Sequence, residues 1–582
     1  MLELLLKEHT AASNSGRCSI DTLPEEIWTQ IIRSYASKQY ASARFDLQYV
    51  SVDLLLALML VSTRWQQRIQ DTPTLWTDIA LLDSTEDLSL KVALGLHYSK
   101  TAPLSLLLLS RGTWSAVRSM APSMQPRISS LIFRFFFPEE EAEFVISDLC
   151  PLPCLTRMSA RENRYIDKAF FHQHPLITDL NGGGVLIADL CACLPQLTKL
   201  QWNATENMSA IFRHLGGIPH LKEVDVSYTS TDEKIGEFHF GSPAWTRLTY
   251  WQHSHRVHSV ILNQTKNTLV YLCLRVSISS LVNDLSLTLP ELERLESLEL
   301  ILVKSEADVP LKPPHNQKAC PVREAVIWFS PLGEGHKSDL PIVCRILQRM
   351  VEYVQVVIIT TRWPRYIPLL FAETGFTLLV SIVINHSDSL ELEDGAQLEQ
   401  VRLPSSLERL QISGPQALLD MFGSTTVTNI RFEDRGKPTL SASRLSEWSN
   451  LRVLNLATIE SSFDHFSSPT LKVLSIRFPR NTATITALCQ QLAIHGDRCP
   501  RLERLEFSEC PEWDILMIML ERRNCTPDPA VTPIKYIILP ALIPRIIREA
   551  VRERIQGRRS PRPSNYELSL QGNIDIICDS DL

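Results

Sequence analysis

Three histidines stand together at His253, His255 and His258 in the stretch HSHRVH, a set of imidazoles that could ligate zinc. In the repeat register described below, His253 takes a leucine position and the other two fall in the turn that follows. Packing and hydrogen bonding are therefore their expected roles. The cysteines offer two close pairs, Cys150 with Cys154 and Cys191 with Cys193. Neither has a second pair at finger-like distance, so buried free thiols are expected and structural metal is not. NGGGV, from Asn181 to Val185, lacks the third glycine spacing and the lysine of a phosphate loop, and is expected to be a turn. No G-x-S-x-G elbow, H-E-x-x-H helix, Walker loop or kinase signature set occurs, and sequence pairs no carboxylates into an acid/base dyad. The expectation is a chain without catalytic residues, metal or cofactor, and not an enzyme.

Stepping from chemistry to bulk properties, 582 residues are enough for a small domain joined to a long repeat array. Apolar residues at 44% favour a folded chain, and a net charge of -7 argues against a general nucleic-acid binder. The longest apolar run, Leu54 to Val61, falls far short of the roughly 20 residues of a membrane helix, so no membrane partner is expected. The N-terminal stretch does not read as a signal peptide. With 13 cysteines, an odd number, this favours reduced thiols in the cytoplasm, the nucleus or both.

The elements follow from apolar spacing. Residues 1–20 read as a flexible leader. Pro24 suits a helix start, and Ile27, Ile31 and Tyr35 form one stripe with Trp28 and Ile32 beside it. A very apolar helix is expected at about Leu54 to Leu60. A third opens with Thr63 and Gln66 at capping-box spacing, carries Trp65 and Ile69, and ends at Asp71 and Pro73. Three helices with this much apolar surface cannot bury it among themselves, which implies a partner or cover from the rest of the chain.

Beyond about residue 150 a short fragment, L-x-x-L-x-L, recurs: LPQLTKLQWN at 194, IPHLKEVDVS at 218, NTLVYLCLRV at 267, SSLERLQISG at 405, SNLRVLNLAT at 449, SPTLKVLSIRF at 468 and CPRLERLEFSEC at 499. These are identified as leucine-rich repeats, each stacking on its neighbours. The fold class expected is α/β: a small all-α module of three short helices at 21–80, a linker and cap at 81–150, and an irregular solenoid with a parallel concave sheet at 151–545. The repeats look degenerate at 305–395, and 546–582 reads as a basic, mobile tail with Ser560 a candidate phosphorylation site. Alternate strand positions should project from the concave face. They include Lys199, Gln201, Asn203, Glu223, Asp225, Tyr271, Arg275, Gln411, Asn455 and Glu506. Arg409, Arg431, Arg477 and Arg504 make the late repeats lean basic, which suits either a solvated charged face or an acidic or phosphorylated peptide lying on it.

LPEEIWTQII from Leu23, followed by LMLVSTRWQQRI and TPTLWTDI, resembles the F-box, and the P-x-L-W-x-x-I ending is similar to the version common in large fungal families. The resemblance implies a helical module that grips a Skp-type adaptor and through it the cullin and RING subunits of an SCF ubiquitin ligase. It assigns the adaptor contacts to Leu23, Pro24, Ile27, Trp28, Ile31, Leu60, Val61, Trp65, Leu75 and Trp76. The chain would be a non-catalytic substrate receptor in the ubiquitin conjugation pathway, its repeats binding an unknown protein target. The alternative is a non-degradative scaffold or inhibitor with a vestigial F-box.

Overall fold

The computed structural model describes residues 24–40, 50–81, 88–108, 125–133, 152–160, 168–183, 185–204, 206–228, 243–251, 255–303, 319–329, 340–361, 366–371, 376–386, 400–414, 418–419, 421–423, 426–433, 448–456, 466–477, 482–525, 530–539 and 545–556. They fall into two compact units, one ending at Leu274 and the other beginning at Arg275.

The first unit opens with three helices, α1 (Glu25–Tyr40), α2 (Val52–Met59) and α3 (Thr63–Asp71). Glu25 and Glu26 sit where the positive end of the α1 dipole favours them. The cap of α3 is Ser62, one residue before the Thr63 expected from sequence; its Oγ accepts the Trp65 N–H at 3.2 Å. Strands then follow in chain order: β1 (Val50–Ser51), β2 (Asp78–Leu81), β3 (Leu104–Leu108), β4 (Ile128–Phe133) and β5 (Arg157–Ala160). They continue with β6 (Asp179–Gly183), β7 (Lys199–Ala204), β8 (Glu223–Tyr228), β9 (Arg247–Trp251) and β10 (Tyr271–Ser277), whose first four residues close the unit. From β1 to β9 each strand pairs parallel with the next.

This placement corrects the expected division at 80 and 150. The sheet begins inside the helical module, where Val50 pairs with Ile79, and β3 and β4 occupy the stretch read as a linker and cap. Helix α4 (Leu88–Tyr98) lies in the same stretch and is fastened to the module. Lys91 Nζ meets Asp53 of α2 at 2.6 Å, Gln70 of α3 donates to Tyr98 at 2.9 Å, and the Trp76 and Tyr98 rings are 4.8 Å apart. Helices and strands up to Leu274 thus make one unit.

A parallel strand must be reached by a crossover, and many of the crossovers here end in the same turn. Leu197 donates to the carbonyl of Leu194, Leu221 to Ile218 and Ile177 to His174. Two successive N–H groups then share one carbonyl of the preceding repeat: Thr198 and Lys199 on Thr178, Lys222 and Glu223 on Thr198, Thr246 and Arg247 on Lys222. Crossovers carry short helices such as α5 (Lys168–Gln173), α6 (Ile187–Cys193), α7 (Met208–Leu215) and α8 (His255–Thr265). Along β7 the period of two is plain: Leu200, Trp202 and Ala204 are buried while Lys199 and Gln201 are exposed.

The second unit repeats the scheme. Its main sheet runs β11 (Ser297–Val303), β12 (Glu324–Phe329), β13 (Val356–Thr361) and β14 (Ser381–His386), all in parallel register. A side pair, β15 (Val401–Arg402) with β17 (Phe422–Gly423), flanks β16 (Arg409–Ser413) and β18 (Asn429–Glu433), which carry the main sheet on. It ends with β19 (Val453–Leu456), β20 (Val473–Ile476), β21 (Arg504–Phe507) and β22 (Tyr536–Ile538). The shared carbonyl recurs, from Glu296 serving Arg323 and Glu324 to Glu503 serving Lys535 and Tyr536. Its helices include α9 (Leu340–Met350), α10 (Tyr366–Leu370), α11 (Thr482–Ile494) and α12 (Trp513–Leu520).

Two further expectations are corrected here. Residues 305–395, read as degenerate, carry β12, β13 and β14 in unbroken register, with Val and Ile taking most leucine positions, as β-branched residues can in a strand. The stretch from 546, read as tail, begins inside α13 (Arg545–Ile555), whose Ile547 and Val551 are buried. Residues 557–582, including Ser560, lie outside the described residues. No described helix is long and apolar enough to cross a membrane.

Gly414 follows β16 at φ +155°, and a Cβ there would meet His386 Cβ at 2.7 Å and Leu418 Cδ1 at 2.8 Å. Gly414→Ala is expected to lower the stability of the second unit by about 1–3 kcal/mol, read as a lower urea midpoint. Gly496→Ala, whose new methyl would meet nothing closer than Val531 at 3.5 Å, should leave that midpoint unchanged or raise it.

Candidate functional site

The ten side chains singled out in the helical module divide by burial. Trp28, Trp65, Leu75 and Trp76 are buried at 5% exposure or less. They brace the module and present no surface to another protein. The rings of Trp28 and Trp65 meet edge-on at 5.7 Å, the Arg68 guanidinium lies 4.8 Å over Trp28, and Trp76 Nε1 donates to the Ile69 carbonyl at 2.9 Å. Arg33 ties α1 to the turn after α3, with Nη2 at 2.6 Å from the Thr74 carbonyl and 2.8 Å from Asp78 Oδ2.

Pro24 is exposed, Ile31 is half-buried, and Ile27, Leu60 and Val61 are exposed by 46%, 88% and 38%. Leu23 lies outside the described residues. The Trp28–Trp65 contact joins α1 to α3, so Ile27 at the start of α1 and Leu60–Val61 just before α3 stand on the two elements this ring pair holds together. Exposed apolar side chains on a braced frame are able to take a protein partner.

The second candidate surface is the polar face of the sheet. In the first unit one register row reads Arg157, Asp179, Lys199, Glu223, Arg247, alternating in sign over five strands. Arg157 meets Asp179 at 3.1 Å, Lys199 meets Glu223 at 3.1 Å, and Arg247 lies 4.2 Å over the Tyr271 ring. The next positions are bridged as well, Asn181 donating to Gln201 at 2.8 Å and Ser227 to Asn203. Sequence analysis named Lys199 and Glu223 but missed Arg157, Asp179 and Arg247. Aligning the residue before each inward apolar position would have shown the alternation.

In the second unit the basic lean is reduced by pairing within strands. Arg431 reaches Glu433 at 2.6 Å and Arg504 reaches Glu506 at 2.6 Å, each two residues on and therefore on the same face. Arg409 and Arg477 are exposed and have no ion-pair partner among the described residues.

The other candidates are drawn into packing. His258 is buried with Nδ1 2.7 Å from the Tyr250 hydroxyl, while His253 and the His255 side chain lie outside the described residues. Cys193 is buried 3.5 Å from both His172 ring nitrogens, burial pushes the Cys191 thiol up to about 12, Cys154 is exposed, and Cys150 lies outside the described residues. No group of three metal-ligating side chains occurs among the described residues. Asn181, Gly182 and Gly183 are strand rather than turn: Gly183 ends β6, where a Cβ would sit 3.0 Å from the Asn203 carbonyl of β7, and Gly184 lies outside the described residues. His174, missed from sequence, takes a leucine position in its turn; Leu152 N–H donates to its Nε2 at 3.0 Å, which leaves Nδ1 to donate to Phe170 at 2.7 Å, and burial lowers its pKa.

A family model described as F-box-like matches residues 20–82. The match covers the three helices, the tryptophan turn and the first paired strands. No curated protein matches the chain.

Asp225, on the polar face of β8, has its carboxyl pushed up to about 6 by burial, against the pull of Lys199. A folded-state pKa above the unfolded value means stability that is present at low pH and lost as pH rises through about 6. Asp225→Asn should therefore raise the urea midpoint of the first unit at about pH 8, with the gain vanishing by about pH 4.

Proposed function

We propose that the chain is the target-recognition subunit of an SCF-type ubiquitin ligase. Its F-box, of the kind ending in P-T-L-W, docks a Skp-type adaptor and thereby the cullin and RING subunits. Its parallel strands, each with its turn a leucine-rich repeat, present their polar face to a protein target. The subunit catalyses nothing; it holds acceptor lysines near the conjugating enzyme and raises their local concentration. The observation that carries this reading is a coincidence of position. The F-box-like match at 20–82 falls on the helices that hold Ile27, Leu60 and Val61 out of their own core.

A second reading has its own support. Asp53, Gln70 and Trp76 tie the helices to α4, and β1 pairs with β2, so the helices also cap the sheet. A scaffold or inhibitor would keep that role without an adaptor.

The test is co-purification of the full chain with a recombinant Skp-type adaptor. Ile27→Asp and Leu60→Asp should each weaken the complex by about thirtyfold or more, since buried interface anchors commonly contribute about 2 kcal/mol or more each, and circular dichroism should be unchanged. Trp65→Ala should instead unfold the module at a cost of about 3–5 kcal/mol. A wild-type chain that is folded and binds no adaptor would leave the scaffold reading standing.

A further inference from the structure

Most of the polar face of the sheet is committed to itself. The first unit satisfies its charges along the alternating row, and β18 and β21 neutralise their arginines within the strand. The exception lies between β11 and β16. There the outward positions of β11 to β14 include an apolar group, Ile301, Val326, Trp328, Val356, Ile358 and Val383, set beside the polar Ser297, Glu299, Glu324, Ser381 and Asn385. All are half-buried or exposed, Trp328 by 39%. Register fixes their neighbours. Glu299, Val326, Ile358, Val383 and Gln411 form one row; Glu324, Val356, Ser381 and Arg409 form the row beside it.

The charges at the ends of that second row are opposite. Glu324 on β12 and Arg409 on β16 are both exposed, and neither has an ion-pair partner among the described residues. They stand three strand steps apart, about 14 Å at about 4.8 Å per step. Between them lies surface that gains by leaving water, and at each end a charge that gains by meeting its opposite. A purely acidic or phosphorylated ligand would satisfy Arg409 and be repelled at Glu324.

We infer that this strip binds an extended peptide of a target protein that crosses the strands with an apolar residue against Val326, Ile358 and Val383, a basic residue toward Glu324 and an acidic residue toward Arg409. The inference rests on the receptor reading for the source of the peptide, not for the chemistry of the strip. The ligand class is thus amphoteric with an apolar centre, unlike the acidic class suggested by the arginine count alone.

The test uses the full chain with its helical module and an array of peptides of about ten residues, which more than spans the strip at about 3.3 Å per residue. The probes combine basic, acidic or neutral ends with an apolar or a serine centre, and hits are measured by fluorescence anisotropy. Peptides with ends of opposite sign and an apolar centre should bind, and those with a serine centre should not. Ile358→Ser should weaken binding by about tenfold or more. Glu324→Lys should move the preference to peptides acidic at both ends, a change of selectivity that misfolding cannot produce. The inference is overturned if no such peptide binds the folded chain, if binding ignores Ile358→Ser, or if the apolar strip mediates only self-association in sedimentation. Adaptor co-purification on the same samples separates the two proposals: loss of adaptor with peptide binding kept sinks only the receptor reading, and the reverse sinks only this one.

Discussion

One carbonyl shared by two consecutive N–H groups, at the entrance to strand after strand, is the contact on which each unit depends. Thr178 accepts from Thr198 and Lys199, Thr198 from Lys222 and Glu223, and the same arrangement returns at Gln355, Val380, Glu408 and Arg452. It sets the register before the strand begins. Since a slip of one residue would turn every leucine to the polar face, this local contact decides which side chains are core and which are surface. The crossovers are free to vary in length because they enter the strand through the same gate: Asp179 pairs with Lys199 after 20 residues and Glu324 with Val356 after 32.

The helical module meets the sheet by the same logic. Its last residues, Asp78 to Leu81, are already a strand, and Ile79 is 3% exposed. The tryptophans serve this junction. Trp76 is buried between the α3 carbonyl it bonds and Tyr98 of α4, and Trp28 and Trp65 lock α1 against α3. With the large rings used inside, the aliphatic side chains of Ile27, Leu60 and Val61 are left as the outer surface. A rigid frame keeps that surface ordered before any partner arrives, which lowers the entropy lost on binding.

Periodic features were legible in the sequence and relational ones were not. The spacing Leu197, Leu200, Trp202 shows a strand and its inward face, and TATITALCQQLAI shows a helix, because both patterns are local. The strands EAVIWF, VVIITT and SIVINH were passed over because Val and Ile replaced leucine. What they conserve is burial at alternate positions, and either residue type provides it. Trp28 and Ile27 are adjacent in sequence and both apolar; only the packing of α1 on α3 sends one inward and the other out. The arginine count misled for a similar reason. Glu433 and Glu506 lie two residues beyond Arg431 and Arg504, on the same face; Glu506 was read as an outward position without being paired with Arg504, and Glu433 was missed.

Charge on the polar face is therefore arranged rather than accumulated. Where a row alternates in sign over neighbouring strands, the long side chains spend their charge on one another and a ligand would have to displace them. Where both charges of a pair lie on one strand, the same holds at shorter range. Between Glu324 and Arg409 stand Val356 and Ser381, with Val326, Ile358 and Val383 in the row beside them, and the two charges are kept too far apart to meet. The apolar insert does two things at once: it supplies surface that a partner can desolvate, and it prevents the flanking charges from cancelling. That combination gives the second unit a surface whose selectivity comes from spacing and not from net charge.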